Sequence, residues 1–231
     1  VNSQLFVSLD GTDPRLSGGA IATGPNVLSN TGPITITISN NVRLFARCRN
    51  TAHLNATGSY NPPISSPWSG PIVGTYSFPA LTPPLRITEI MYNPPKAPPG
   101  NATNDADNFE YVEFKNISAA PLNVTGYRLR GGVSFDFPVL TLAAGKSCVV
   151  VADLAGFQSR YGSGVLIAGS YTNNPDQNRL GNSGDHLKLE GFYHEPILDF
   201  DYSDGWYPIT DGTGFALQIV NENAAIDTWG L

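Results

Sequence analysis

Charge is scarce in this sequence: Asp, Glu, Lys and Arg together make up 14% of its 231 residues. What charge there is leans acidic, with 19 acids against 13 bases, a formal net charge of −6 and no basic cluster. Nucleic-acid affinity rests on Lys and Arg neutralising phosphates, so no nucleic-acid partner is expected. No apolar run approaches the ~20 residues that span a bilayer, so no membrane span is expected either. The N-terminus lacks a basic-then-apolar leader, which places any signal peptide outside this stretch. Runs of Ala, Leu, Glu and Lys are also missing, and with them the long helices those residues favour.

Cysteine is reduced to Cys48 and Cys148, a hundred positions apart. A bridge would need their Cα atoms within about 7 Å, and the expectation is a pair of buried free thiols. Histidine is limited to His53, His186 and His194. His186 falls in the alternating stretch "HLKLEG", opposite Leu187 and Leu189, and His194 falls in a turn before Glu195-Pro196. The His186, Glu190, His194 spacing would suit a metal only on a helix. No serine sits in a nucleophile elbow and no glycine-rich loop is followed by lysine. No enzyme and no cofactor are expected, apart from the calcium considered below.

What the chain does have is 24 glycines, 19 prolines and 41% hydrophobic residues. This composition suits short strands joined by turns, an all-β fold with enough apolar residue to bury a core. In "PITITISNNVRLFARCRN", Ile34, Ile36 and Ile38 alternate with polar residues, Asn40-Asn41 reads as a turn, and Val42, Leu44, Ala46 and Cys48 are expected inward. Arg43, Arg47 and Arg49 are expected to face water. "IVGTYSF" (72–78) closes this first block. "PALTPPL" (79–85) has three prolines in seven residues and reads as a semi-rigid linker, incompatible with helix or central strand. The strands "LRITEIMYN", "YVEFKN", "YRLRGGVSFDF", "SCVVVAD", "HLKLEG", "ILDFDYS" and "FALQIVN" then follow at sandwich-like spacing. One short helix is expected within 153–162, capped by Asp153, ended by Gly162 and sharing Leu154, Phe157 and Tyr161 on one face. The domain expectation is 1–78, a linker at 79–84, and 85–231.

Three features invite ligands. The loop "NATNDADNFEY" (101–111) clusters Asp105, Asp107, Asn108 and Glu110, hard oxygen donors of the kind Ca²⁺ takes; a solvated acidic loop is the alternative. Trp68 and the Trp206-Tyr207 pair sit in Pro/Gly-flanked sequence and are candidate platforms for stacking a carbohydrate, or seals at the end of a sandwich. Asn55, Asn101, Asn116 and Asn123 head Asn-X-Ser/Thr sequons.

Residues 85–225 resemble a bacterial lamin tail domain, an immunoglobulin-like sandwich, through "LRITEIMYNPP", "EYVEFKNISAAPLNVTGYRLRGG", "FDFPVLTLAAGKSCVVVAD", "LGNSGDHLKLEG" and "DGWYPITDGTGFALQIVN". The first block, through "VSLDGTDPRLSGGAI" and the later "GPITITISNNVRLFARCRN", resembles the chitobiase C-terminal, or fibronectin-III-associated, module. That family has at least one further strand before this point, so the first domain is expected to be cut at its N-terminus. The two resemblances imply tandem β-sandwiches in a large secreted or cell-surface bacterial protein. The implied role is non-catalytic: structure, adhesion and contact with a protein or surface glycan. A carbohydrate-binding accessory role and self-association by strand donation are the alternatives.

Overall fold

The computed structural model describes residues 3–53, 66–97, 105–171 and 179–229. The chain divides into two compact units, Val1–Thr82 and Pro83–Leu231. Among the described residues the fold is all-β with one short α-helix.

The first unit holds one four-stranded antiparallel sheet among its described residues. Its strands are β1 (Gln4–Ser8), β2 (Val27–Asn30), β3 (Val42–Arg49) and β4 (Ile72–Tyr76), in the order β2-β1-β3-β4. β1 is central, and both Phe6 and Val7 are buried although they face opposite ways. The turn "DGTDPR" covers one side. Asp10 accepts from the amide and hydroxyl of Thr12 at 3.0 and 2.6 Å and from Asn26 Nδ2 at 3.0 Å. Asp13 takes a two-pronged bond from Arg47, Nε at 2.8 Å and Nη2 at 2.6 Å, while Arg47 Nη1 donates to the Ser69 carbonyl at 2.7 Å.

Five expectations for this unit are corrected. Arg47 does not face water: its partner Asp13 lies across the turn, and the paired fork holds it half-buried. Arg43 and Arg49 are likewise occupied, by Thr75 Oγ1 at 3.2 Å and by the Trp68 ring. Cys48 is exposed rather than inward. Residues 33–39 keep their alternation, the isoleucines half-buried and the hydroxyl residues exposed, yet carry no strand ladder. Side-chain period reports which face is wet, not which backbone is adjacent, and both flanks of β3 are taken by β1 and β4. The proline run is not wholly extended either. Pro79–Leu81 makes a single 3₁₀ turn, since proline's fixed φ suits a first helical position and its missing N–H is not needed there. Asn41, expected in a turn, is buried and ties this turn down, accepting from Phe78 N at 3.0 Å and donating to the Leu81 carbonyl at 3.2 Å.

The second unit is a sandwich. Its strands are β5 (Leu85–Met91), β6 (Tyr111–Asn116), β7 (Leu122–Asn123), β8 (Arg128–Gly131), β9 (Phe135–Asp136), β10 (Thr141–Leu142), β11 (Ser147–Val151), β12 (Ile167–Ser170), β13 (Gly184–Glu190), β14 (Pro196–Ser203) and β15 (Leu217–Gln218). One sheet runs β12-β11-β6-β5-β15 and the other β14-β13-β8-β9, with β10-β7 a small ribbon. Leu85, Val112, Phe114 and Val150 from the first sheet and Leu129, Leu187 and Leu189 from the second are fully buried in one core. Each contributes about 1.5–3 kcal/mol by leaving water. Phe114 also meets Phe137 edge-on at 5.1 Å.

The five-stranded sheet is buried on its outer face as well. There α1 (Leu154–Tyr161) lays Phe157 over Met91, Tyr111, Val149 and Val151. The helix has the expected ends: Asp153 Oδ1 accepts from Gly156 N at 2.6 Å, and Gly162 turns out at φ +82°. Leu154, expected on the buried face with Phe157 and Tyr161, stays half-exposed at the first turn. Because β11 runs parallel to β12, a crossover must join them, and α1 is that crossover.

Candidate functional site

One concavity in the second unit lies at the edge of the sandwich, where β5 and β15 of one sheet meet β14 of the other. It encloses about 200 Å³. β15 forms its floor by pairing with β5, Leu217 opposite Ile90 and Gln218 opposite Glu89, and Ile219 N continues the ladder to the Thr88 carbonyl at 3.0 Å. One wall follows β14: Phe200 on the strand, then a 3₁₀ turn, Asp204–Trp206, whose entry is capped by Ser203 Oγ accepting from Gly205 N at 3.1 Å. The next turn, Pro208–Thr210, is pinned by the buried Thr210 hydroxyl, which donates to the Tyr207 carbonyl at 2.8 Å and meets the Tyr92 hydroxyl at 3.0 Å. Trp206 and Tyr207 are therefore held by buried bonds rather than left on a loose loop.

The opposite wall comes from the last described turn, Ile226–Thr228, followed by Trp229. The Trp229 ring meets Phe200 at 4.8 Å and 72°. Its indole nitrogen is buried without a hydrogen-bond partner among the described residues. Among the described residues Glu89 is the one charged residue lining the cleft, and its carboxylate already accepts from Gln218 Nε2 at 2.9 Å and from the Tyr111 hydroxyl. Tyr207 and Val220 stand exposed at the rim.

The two expected aromatic platforms thus have different fates. Trp206 and Tyr207 line this cleft, Trp206 packing on the core and Tyr207 half-exposed. Trp68 is built into the first unit: its Nε1 donates to the Gly19 carbonyl at 2.7 Å, and its ring packs on Phe6 at 5.2 Å.

The acidic loop does not converge. Asp105 caps the turn Ala106–Phe109, and both Asp105 and Asp107 face Arg179, at 3.8 and 2.5 Å. Glu110 turns the other way, into the protein. It is fully buried, and its Oε2 accepts from Leu180 N at 2.8 Å and the Tyr171 hydroxyl at 3.1 Å, while Oε1 has no partner among the described residues. Burial, reinforced by the nearby Asp107 charge, pushes its carboxyl up to about 8. Among the described residues no group of three His, Cys, Asp or Glu side chains is placed to hold a metal ion.

The other chemistry-bearing groups are dispersed. Cys148 is buried in the core and its thiol is pushed up to about 12 by burial. His186 sits on the exposed face of β13 between Asp199 (3.2 Å) and Asp201 (2.9 Å) of β14. His194 occupies a turn at φ +63°. Asn116 is fully buried, its amide donating to the carbonyls of Ala120, Leu142 and Ala143, so it offers no glycan acceptor in the folded state. Asn123 is exposed, and Asn55 and Asn101 lie outside the described residues.

Trp229 and Phe200 were not legible as cleft residues. They lie 29 positions apart in sequence, and only the return of the chain across the sandwich end joins them. Glu110 did leave a signal, an acid enclosed by Phe109, Tyr111 and Val112, which reads as a buried carboxyl once the flanking residues are taken as core.

Comparison with the curated proteins finds no match. Among solved structures, a DUF4876 family protein from Bacteroides thetaiotaomicron VPI-5482 is similar at 16% identity, over 64% of this chain and 43% of that one, with a TM-score of 0.26. The chain thus spans less than half the length of that protein, and a likeness so loose carries no argument. Over residues 79–192, the sandwich of the second unit matches the family model of the Lamin Tail Domain.

Proposed function

We propose that this chain is a non-catalytic structural and interaction segment of a large secreted or cell-surface bacterial protein. In this reading a chitobiase-C-terminal-like module and a lamin tail domain, joined through the proline run, present loops and sheet edges to a protein or surface glycan partner. The observation that supports it best is the separation of the reactive groups. Glu110, the carboxyl most displaced from its ordinary range, is committed to Leu180 N and the Tyr171 hydroxyl. Cys148 is sealed in the core, and His186 lies on the outer face of the second sheet. Glu110, Cys148 and His186 thus sit in three different places, and a catalytic site needs such groups to converge before it can turn over a substrate.

The test is a turnover screen of the purified chain against ester, glycoside, peptide and phosphate substrates. No turnover above buffer is expected. Turnover that disappears in Glu110→Gln or Cys148→Ser would overturn the proposal.

A further inference from the structure

The contact reading does not say what is contacted. Resting on that reading, we infer that β4 of the first unit is an interface between two copies of this chain. The two β4 strands pair antiparallel about a two-fold axis at Gly74 and join the two first-unit sheets into one.

β4 ends the sheet β2-β1-β3-β4, and among the described residues no strand pairs with its outer side. A strand edge offers N–H and C=O groups that only another extended backbone satisfies in series. Native edges are therefore guarded by charge, proline, a bulge or shortness. β14, the longest edge strand described, carries exposed Asp199 and Asp201, while β9 and β15 are two residues long. β4 has no such guard. Ile72–Tyr76 contains neither charge nor proline, and its register with β3 runs unbroken. It is also apolar and open, with Ile72 73% and Tyr76 50% exposed and Val73 beside them.

Charge and register select a second copy as the occupant. The sequence holds no Asp, Glu, Lys or Arg from residue 50 through residue 85. Two such edges meet without like-charge repulsion although each chain carries −6, whereas a charged peptide finds no counter-charge in the strand. Centring the pair on Gly74 sets Ile72 opposite the second copy's Tyr76 and Val73 opposite its Thr75. Those are the β-branched and aromatic pairings that support antiparallel ladders. Gly74 falls on the axis, where a small residue lets the two strands meet, and the Tyr76 ring already roofs it, 3.4 Å from where a Cβ would stand. The same patch thus serves both subunits, as a two-fold interface requires. Pro71 and Pro79 bracket the strand and keep the shared ladder short.

The experiment is sedimentation equilibrium of the full chain over a range of concentrations. So short a ladder lies below the standard interface size, so the dissociation constant is expected on the order of 100 μM. Ile72→Lys with Tyr76→Lys sets like charges opposite one another and should weaken association at least about tenfold. Ile72→Lys with Tyr76→Glu removes the same apolar groups but sets opposite charges together, and at low salt it should associate more tightly than the first double variant. Leu28→Lys, on the far edge strand β2, should associate like the parent chain. All three positions are exposed, so folding is expected to survive, which thermal unfolding checks. The interface is refuted if the parent chain stays monomeric at about ten times the expected constant, if Leu28→Lys disrupts association as much, or if the two double variants associate equally. A monomer without turnover sinks the interface alone, whereas turnover in the substrate screen sinks the contact reading.

Discussion

Burial of Glu110 should make the stability of the second unit fall as the pH rises. Its carboxyl is fully buried, and burial raises it from an ordinary 4.5 to about 8 in the folded protein. A group raised on folding favours the native state fully below the lower value, and that contribution is lost as pH climbs through the upper one. The window therefore runs from about pH 4.5 to 8, with a slope near 1.4 kcal/mol per pH unit, so roughly 3 kcal/mol is gone by pH 7 relative to the acid plateau. Glu110→Gln keeps an acceptor for Leu180 N and the Tyr171 hydroxyl, and its amide has no proton to lose in this range. The measurement is urea unfolding at a series of pH values in a Trp68→Phe background, which leaves Trp206 and Trp229, both packed on the second unit's core, as reporters. The parent chain should lose stability steadily between pH 5 and 8, while Glu110→Gln should stay nearly level over the same span. Parallel curves for the two proteins would refute the reasoning, because other titrating groups are common to both.

The two thiols should separate cleanly: a maleimide should modify exposed Cys48 at once at pH 7, and buried Cys148 only on a timescale set by opening of the sandwich. Mass spectrometry of the native protein should find one label, and two in denaturant; two rapid labels without denaturant would contradict the packing of β11. Gly131→Ala should cost more than about 2 kcal/mol, because φ is +108° and a Cβ would fall 2.0 Å from the His186 carbonyl oxygen. Thermal unfolding would check this, and an unshifted midpoint for the second unit would show that β8 and β13 are not so closely apposed.

The longer strands of the second unit were readable, though β7, β10 and β12 were not and "YRLRGGVSFDF" splits into β8 and β9; the first unit was less readable, for a physical reason. In "YVEF" and "SCVVVAD" the apolar residues are dense enough that each strand could only lie in a packed interior, and β6 and β11 do so with Val112, Phe114 and Val150. The short helix was equally plain, since Asp153 and Gly162 mark its ends by local chemistry. In the first unit few large apolar residues are buried, and polar clamps supply much of the definition. Nothing in the spacing of Asp13 and Arg47, 34 positions apart, announces a two-pronged bond, so an arginine in an alternating strand reads as solvent-facing. The same blindness affected "PITITIS", whose alternation survives without a partner strand.

The site follows the same division. Trp206 and Tyr207 stood out because large aromatics between glycine and proline have no obvious core to fill, and they do line the cleft. Trp68 carried the same signature and is nonetheless packed, half-buried, against its own unit, because the Gly19 carbonyl that accepts from its indole lies 49 positions away. Local sequence thus identifies an aromatic that needs a surface, but not whether the chain supplies that surface. The indole donors of Trp68 and Trp229 also differ. That of Trp68 is satisfied within its own unit, whereas the cleft around Trp206 is closed by Trp229, whose indole N–H is buried with no partner among the described residues.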